Sequence, residues 1–593
     1  MKHLICALLC AVIVSSVPVI AQEAQIPARL ASVGPGQNIH IIVRYKSAPS
    51  LSQHLKAISG GGFIKADLGM INSGAYVIPG ASLRQIAADP AVLAISEDHK
   101  VHSLLDNTAA AVNAPAAWWL FGLDGAGVGV AVIDSGISDV RDLGAGRFGG
   151  WSRIVHKESF IPGDSAEDYF GHGEHVAGII AGDGAASTCF QCVRTFRGIA
   201  PGANLIDLRV LDGDGDGADS AVIAAIQRAI ALKDTYNIRV INISLGHPVL
   251  ESYQTDPLCQ AVELAWKAGI VVVVAAGNDG RDNSFGVQGY GTIYAPGNDP
   301  YVITVGAMKT MGTRLRRDDR IASYSSKGPT MIDQVVKPDI VAPGNRVVSL
   351  LAPFGLLARS YPANLVSLRY FQRTWSDDVS GNYFTLSGTS MAAPVVSGAV
   401  ALLLQAHPEL TPDQVKARLM RTAYKTFPAS SVATEPTTGQ VFVSYYDAFT
   451  VGAGYLDIQA ALLDTHRFSG AALSPVVTFT PGANGTRGTI TLVCESNTIC
   501  ASDASANPDG ADAAARAVVS GTQSIWSSQS IWSNQSIWSN QSIWSNQSIW
   551  SNQSIWSNQS IWSNQSIWSN QSIWSNSTSE STDAMLVRMF GER

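Results

Sequence analysis

Between about residues 112 and 465, short unbroken runs of valine and isoleucine alternate with amphipathic stretches, and few architectures accept that pattern. The runs are Val128 to Asp134, Leu205 to Leu211, Val240 to Leu245, Ile270 to Ala276 and Val302 to Val305. A continuous β-branched run has no polar face, so each strand needs cover on both sides, as in a parallel sheet between helices. The intervening stretches fit. From Asp219 to Leu232, Val222, Ile226, Ala229 and Ile230 recur at helical spacing, and Thr411-Pro412-Asp413-Gln414 is a capping box with proline at the first helical position. The expected fold class is α/β, a doubly wound and mostly parallel sheet over residues 112–465.

At 593 residues the chain is too long for one core, and two to four domains are expected. Lys2 followed by the apolar run Leu4 to Val14 and the small-residue site Val19-Ile20-Ala21 reads as a signal peptide over residues 1–21, cut after Ala21. That run is short of the ~20 residues a membrane span needs. Residues 38–102 carry the order β-α-β-β-α-β of a small ferredoxin-like α+β unit, with Ser82 expected to cap its second helix. Residues 470–522 read as a small β appendage and linker. Gln-Ser-Ile-Trp-Ser-Asn then recurs nine times over residues 523–576, with Ser528 the one exception to the final Asn, and a tail occupies 577–593. The repeat holds nine of the 14 tryptophans. In an extended chain its even period puts Ile and Trp on opposite faces, which suits a low-complexity tail, a surface or carbohydrate-binding platform, or a β-stack.

A net charge of −7 gives no basic patch for nucleic acid, and no later run is long and apolar enough for a membrane span. Beyond the signal five cysteines remain. Cys189–Cys192 and Cys494–Cys500 are expected as small disulfide loops in an oxidising compartment, with Cys259 left free on a buried helix. No second Cys pair sits at zinc spacing.

Peptide hydrolysis requires a nucleophile, a base, a group that orients the base, and donors for the oxyanion. Asp134 ends a buried strand in Val132-Ile133-Asp134-Ser135-Gly136. His172 starts a small-residue helix in Gly171-His172-Gly173-Glu174-His175-Val176-Ala177-Gly178. Ser390, in Ser387-Gly388-Thr389-Ser390-Met391-Ala392-Ala393-Pro394, opens an apolar helix whose N-terminus suits an anion. Asn278 follows a strand in Ala275-Ala276-Gly277-Asn278, with an amide available to an oxyanion. Open α/β sheets bind ligands beyond the carboxyl ends of their strands, where Asp134 and Asn278 are expected to lie.

These four motifs in this order resemble the subtilisin-like serine peptidases, the subtilase family, over roughly residues 38–465. The resemblance implies that Ser390 is the nucleophile, His172 the general base and acid, and Asp134 the orienter of the imidazole. Asn278 and the Ser390 backbone N–H would form the oxyanion hole. It further implies that Ser244-Leu245-Gly246 and Ala275-Ala276-Gly277 wall the S1 pocket, with Tyr294 near its base. Leu211 to Gly217, with Gly213 and Gly215, would pair with substrate backbone. The 38–102 unit would be an inhibitor-type propeptide, an intramolecular partner released by a cut between about His102 and Val112. Two departures stand out: Glu174 occupies a position where the family usually has Thr, and Leu351 to Tyr383 is a long insertion.

Asp212-Gly213-Asp214-Gly215-Asp216-Gly217 has the alternating carboxylates of a calcium loop but lacks the glutamate of an EF-hand. No cofactor is required, and calcium enters only as a structural ion. His172 and His175 lack a third metal ligand. The expectation is a secreted or extracellular serine endopeptidase made as a preproenzyme and acting on protein or peptide substrates. The rival readings are a narrow-specificity processing protease tethered by its repeat and an inactive Trp-repeat binding module.

Overall fold

The computed structural model describes residues 26, 30, 33–69, 72–97, 106–144, 152–283, 287–435, 438–480, 489–493 and 592. Residues 1–21, expected as a signal peptide, together with Cys494, Cys500, the repeat and all of 577–593 except Glu592, lie outside the described residues. The chain divides into two compact units at His102/Ser103.

In the first unit, β1 (Asn38–Tyr45), α1 (Leu51–Ala57), β2 (Phe63–Leu68), β3 (Ser73–Pro79), α2 (Leu83–Ala87) and β4 (Val92–Glu97) follow one another, and the sheet runs β2-β3-β1-β4 with every pairing antiparallel. Ile39, Ile41, Val43 and Tyr45 alternate along β1 and turn into one core with Tyr76, Ile78, Leu83, Ile86 and Ile95, as a half-covered antiparallel sheet demands. Ser82 does not cap α2. It ends a short 3₁₀ turn, Gly80–Ser82, with helical backbone and no capping hydrogen bond, because that turn feeds α2 directly.

The second unit holds a central sheet built from β5 (Gly129–Asp134), β6 (Ile154–Ser159), β7 (Asn204–Arg209), β8 (Ile238–Ile243), β9 (Val271–Ala275), β10 (Ile303–Lys309), β11 (Arg320–Ile321) and β12 (Ile340–Pro343). The order is β11-β10-β9-β8-β5-β7-β6, with β12 also beside β10, and only the β10–β11 pairing is antiparallel. Every residue of β5 and β9 is buried, as their unbroken apolar runs require. Helices α3 (His172–Ala181), α4 (Asp219–Tyr236), α5 (Pro257–Lys267), α6 (Thr389–Ala406) and α7 (Pro412–Thr422) complete the frame. The capping box at Thr411 and Gln414 starts α7. α6 is the one described helix long and apolar enough to cross a membrane, and 83% of it is buried inside the protein.

The unit is wider than residues 112–465. Ala109, Ala111 and Val112 are buried in its core, and Ile458 donates its N–H to the Val112 carbonyl at 2.9 Å, so residues 106–112 already belong to it. At the other end Ser474 is buried and bonds Asp339 at 2.5 Å and Lys416 Nζ at 2.9 Å, ahead of the hairpin Val476–Thr480/Thr489–Val493. Both extensions escape pattern reading because small residues at a core margin carry little periodic signal. Cys189 and Cys192 are disulfide-bonded, and Cys259 is free and buried on α5, its thiol donating to Asn298. Burial pushes that thiol's pKa well up, which leaves it inert.

Candidate active site

The sheet grows in opposite directions from β5, and Asp134 sits at the carboxyl end of that strand, 1% exposed. Its Oδ1 lies 2.7 Å from His172 Nδ1 and also accepts the Ser135 N–H at 2.8 Å. The imidazole is the first residue of α3, brought close by Gly173. A Cβ on Gly173 would stand 2.3 Å from the Gly136 carbonyl oxygen, so only glycine lets the helix approach the end of β5 this closely. Burial alone would lower the His172 pKa. The charge and hydrogen bond of Asp134, with the charge of Asp168 behind them, outweigh it, and the net shift is upward.

Asp168 is the residue that motif reading missed. It is 1% exposed, and its carboxylate accepts from Ser135 Oγ at 2.9 Å and from the N–H groups of Gly171 at 2.7 Å and Glu174 at 2.8 Å. It therefore ties the β5 turn to the first turn of α3 and satisfies donors that a helix start leaves open. An aspartate four residues before a histidine at a helix start was the available signal.

Ser390 sits in the first turn of α6, which packs alongside α3. Pro394, inside this helix, has no N–H for the Ser390 carbonyl, and Ser244 Oγ donates to that carbonyl instead at 3.0 Å. In return Ser390 Oγ donates to the Ser244 carbonyl at 3.0 Å rather than to His172. Asn278 Oδ1 accepts the Thr389 N–H at 2.9 Å, which turns its Nδ2 the other way. Thr389 Oγ1 both accepts from Gly277 N and donates to Gly277 O, each at 3.1 Å, so one hydroxyl stitches the Asn278 loop to the serine helix.

The segments expected as pocket walls meet at Tyr294. Ala276 O accepts the Tyr294 N–H at 3.1 Å, and Tyr294–Ala295 pairs with His247–Pro248, just past Ser244, Leu245 and Gly246. A Cβ on Gly277 would come within 3.0 Å of the Tyr294 ring, whose hydroxyl donates to Asp279. Ala275 closes β9 beneath this wall. On the opposite flank Gly213 and Gly215 form a turn against Tyr169 and Phe170, next to His172. There Asp212 Oδ1 accepts the N–H groups of Asp214 at 2.9 Å and Asp216 at 3.0 Å, so the alternating aspartates fold on their own backbone. Among the described residues no three His, Cys, Asp or Glu side chains are grouped to hold a metal ion. His175 Nε2 bonds the Val347 and Phe384 carbonyls at 3.1 Å and serves packing, with burial pressing its pKa to about 3. The insertion lies over the start of α3, with Leu356 and Leu357 donating to the carbonyls of Tyr169 and Phe170 at 2.8 and 3.0 Å.

Glu174 is fully buried, and its Oε2 accepts the Ser138 N–H at 2.7 Å. Burial, with the charge of Asp168, pushes its pKa well above the ordinary carboxyl value. Burial likewise raises Asp168 to about 6 and Asp207 well above its usual range. The folded state thus holds these protons more tightly than the unfolded chain. Their contribution to stability is complete below about pH 4 and is lost as pH rises, for Asp168 through about 6. Glu174→Gln keeps the acceptor for Ser138 and removes one titration. Its melting temperature should rise by about 2 °C or more near pH 8 and stay unchanged near pH 4 by calorimetry. A larger gain at the acid end would contradict this account.

The subtilase family model (Peptidase_S8) matches residues 125–448. The chain is 42% identical over 299 residues to serine protease AprX of Bacillus subtilis (strain 168), an alignment covering 50% of this chain and 60% of AprX. Against subtilisin E of the same strain it is 32% identical over 369 residues, covering 61% of this chain and 78% of the relative. Against the extracellular serine proteinase of Thermus sp. (strain Rt41A) it is 34% identical over 362 residues, covering 58% and 69%. With more than half its length matched by the family model, this chain belongs to the subtilases, the subtilisin-like serine peptidases.

Proposed function

We propose that the chain is a serine endopeptidase that works through an acyl-enzyme and is made as a secreted, autoprocessed preproenzyme. The observation that carries the chemistry is the 2.7 Å contact between buried Asp134 and His172, with α3 packed against the helix that bears Ser390. In this reading Asp134 holds the Nδ1–H tautomer, leaving Nε2 free to take the Ser390 proton as Oγ attacks the scissile carbonyl. The Asn278 amide and the Ser390 N–H receive the developing oxyanion. His172 returns the proton to the leaving amine, and water, activated by the same base, releases the acyl group.

Substrate backbone is expected along Gly213 and Gly215. The P1 side chain would enter between Ser244-Leu245-Gly246 and Ala275-Ala276-Gly277, with Tyr294 shortening the pocket. The 38–102 unit serves as the propeptide and intramolecular inhibitor. Because residues 106–112 are part of the peptidase unit, its release would fall within 98–105. Calcium, where it binds, has a structural role that chelation and a melting curve would detect. Asn278→Ala should lower kcat by about 10²–10³ with little change in KM, read with a fluorogenic peptide. An unchanged kcat would remove Asn278 from the oxyanion hole.

A further inference from the structure

Past the repeat, Glu592 returns to the peptidase unit and is seated there, 7% exposed. Two sets of groups hold it. Its Oε1 accepts from the Ser323 N–H at 2.8 Å, from Arg281 Nη2 at 3.0 Å and from the Ser323 hydroxyl, while Lys309 Nζ stands 3.8 Å from Oε2. The Asn345 side chain grips the backbone: its Oδ1 accepts the Glu592 N–H at 2.9 Å and its Nδ2 donates to the Glu592 carbonyl at 3.0 Å. An asparagine that both donates to and accepts from one residue's main chain copies a strand pairing, and it recognises extended backbone whatever the side chain. The carboxylate contacts supply the selection for an acidic residue.

The groups that form this seat are themselves fixed. Arg281 is braced by Glu435 at 2.7 Å and by Ser323 Oγ at 2.6 Å, and its guanidinium lies over the Phe442 ring. Asn345 and Ser323 are buried. The seat also adjoins the catalytic loops along the chain. Arg281 lies three residues beyond Asn278, and Gly344, next to Asn345, accepts the Gly388 N–H at 2.8 Å, two residues before Ser390.

We infer that Arg281, Ser323, Asn345 and Lys309 form a docking socket for the chain's own post-repeat segment, with Glu592 as its key. The stretch carrying the Trp repeat is then tied at both ends, by Ser474 and the strand after it on one side and by Glu592 on the other. A cut within the repeat then leaves the distal piece attached through Glu592.

The test uses the full chain as Ser390→Ala, so that no self-cleavage intervenes and turnover plays no part in the readout. A recognition sequence for an added site-specific protease is inserted at Gly521. After cutting, the distal fragment should co-elute with the peptidase unit on size exclusion at physiological salt. Glu592→Ala in the same background should raise its dissociation at least tenfold, the loss of several charge-assisted hydrogen bonds being about that or more. Release of the fragment from the chain that keeps Glu592 overturns the inference. So does retention of the Glu592→Ala fragment at the unsubstituted level, since the tail would then be held by something else.

Discussion

Ser390→Ala should remove turnover almost completely while leaving the fold in place. The expected loss is about 10⁶ in kcat, the size that removal of the serine has in subtilisin, a relative of this chain, and not a figure derived from this geometry. The fold should survive because Ser390 contributes only one side-chain hydrogen bond, the 3.0 Å donation to the Ser244 carbonyl. That bond is worth about 1 kcal/mol, or about 1–2 °C in melting temperature for a unit of this size. The backbone role of Ser390 is untouched, since its carbonyl still receives Ser244 Oγ in place of the N–H that Pro394 lacks. Three readouts separate the outcomes. A fluorogenic peptide should show no turnover above background, a fluorophosphonate should label the unsubstituted chain alone, and the variant should accumulate uncut with residues 38–102 still attached. Casein cleavage by the variant at the unsubstituted rate would sink the assignment. Normal release of residues 38–102 would show instead that another protease performs the processing.

The architecture was legible where chemistry repeats at a fixed period. Unbroken Val/Ile runs locate β5, β8 and β9 to within two residues, because burial on both faces leaves polar side chains no place. The strand expected to reach Leu211 stops at Arg209 for a reason no run could reveal: the Val210 and Leu211 N–H groups turn to the Asp134 carbonyl, at 2.8 and 3.3 Å. The candidate reactive residues stand where their motifs predict, at the end of β5 and the starts of α3 and α6, because strand ends and helix starts have recognisable words. Their supports have no such words. Thr389 and Ser244 act through backbone groups distant in sequence, and an isolated Thr or Ser carries no mark of that duty; Asp168 holds nearby N–H groups and the distant Ser135 hydroxyl, and its one signal was its place four residues before His172. Glu174, the departure from the family pattern beside His172, is buried, and a carboxyl held this far from water favours its neutral form, which leaves Asp134 as the dominant charge facing His172. The clamp on Glu592 lay beyond any pattern, because one acidic residue after a long repeat has no period to read.

The contact between Asp134 and His172 makes the second large prediction and also the more diagnostic one. Asp134→Asn should lower kcat by about 10⁴ near neutral pH, with KM nearly unchanged. The cause is the tautomer. An asparagine amide facing Nδ1 offers an N–H where the carboxylate accepted one, so the imidazole places its proton on Nε2 and cannot accept from Ser390 Oγ. The pH profile carries the independent evidence. In the unsubstituted chain the Asp134 charge and hydrogen bond outweigh burial and hold the His172 pKa above its ordinary value. The base is therefore protonated, and idle, up to a higher pH than a free histidine would be. Removing the charge leaves burial unopposed except by Asp168, so the His172 pKa should fall and the acid limb of residual kcat/KM should move to lower pH. A variant that merely loosened the fold would lose activity without moving that limb in this direction. An upward movement, or a loss smaller than tenfold, would mean that Asp134 is not what orients and charges the base.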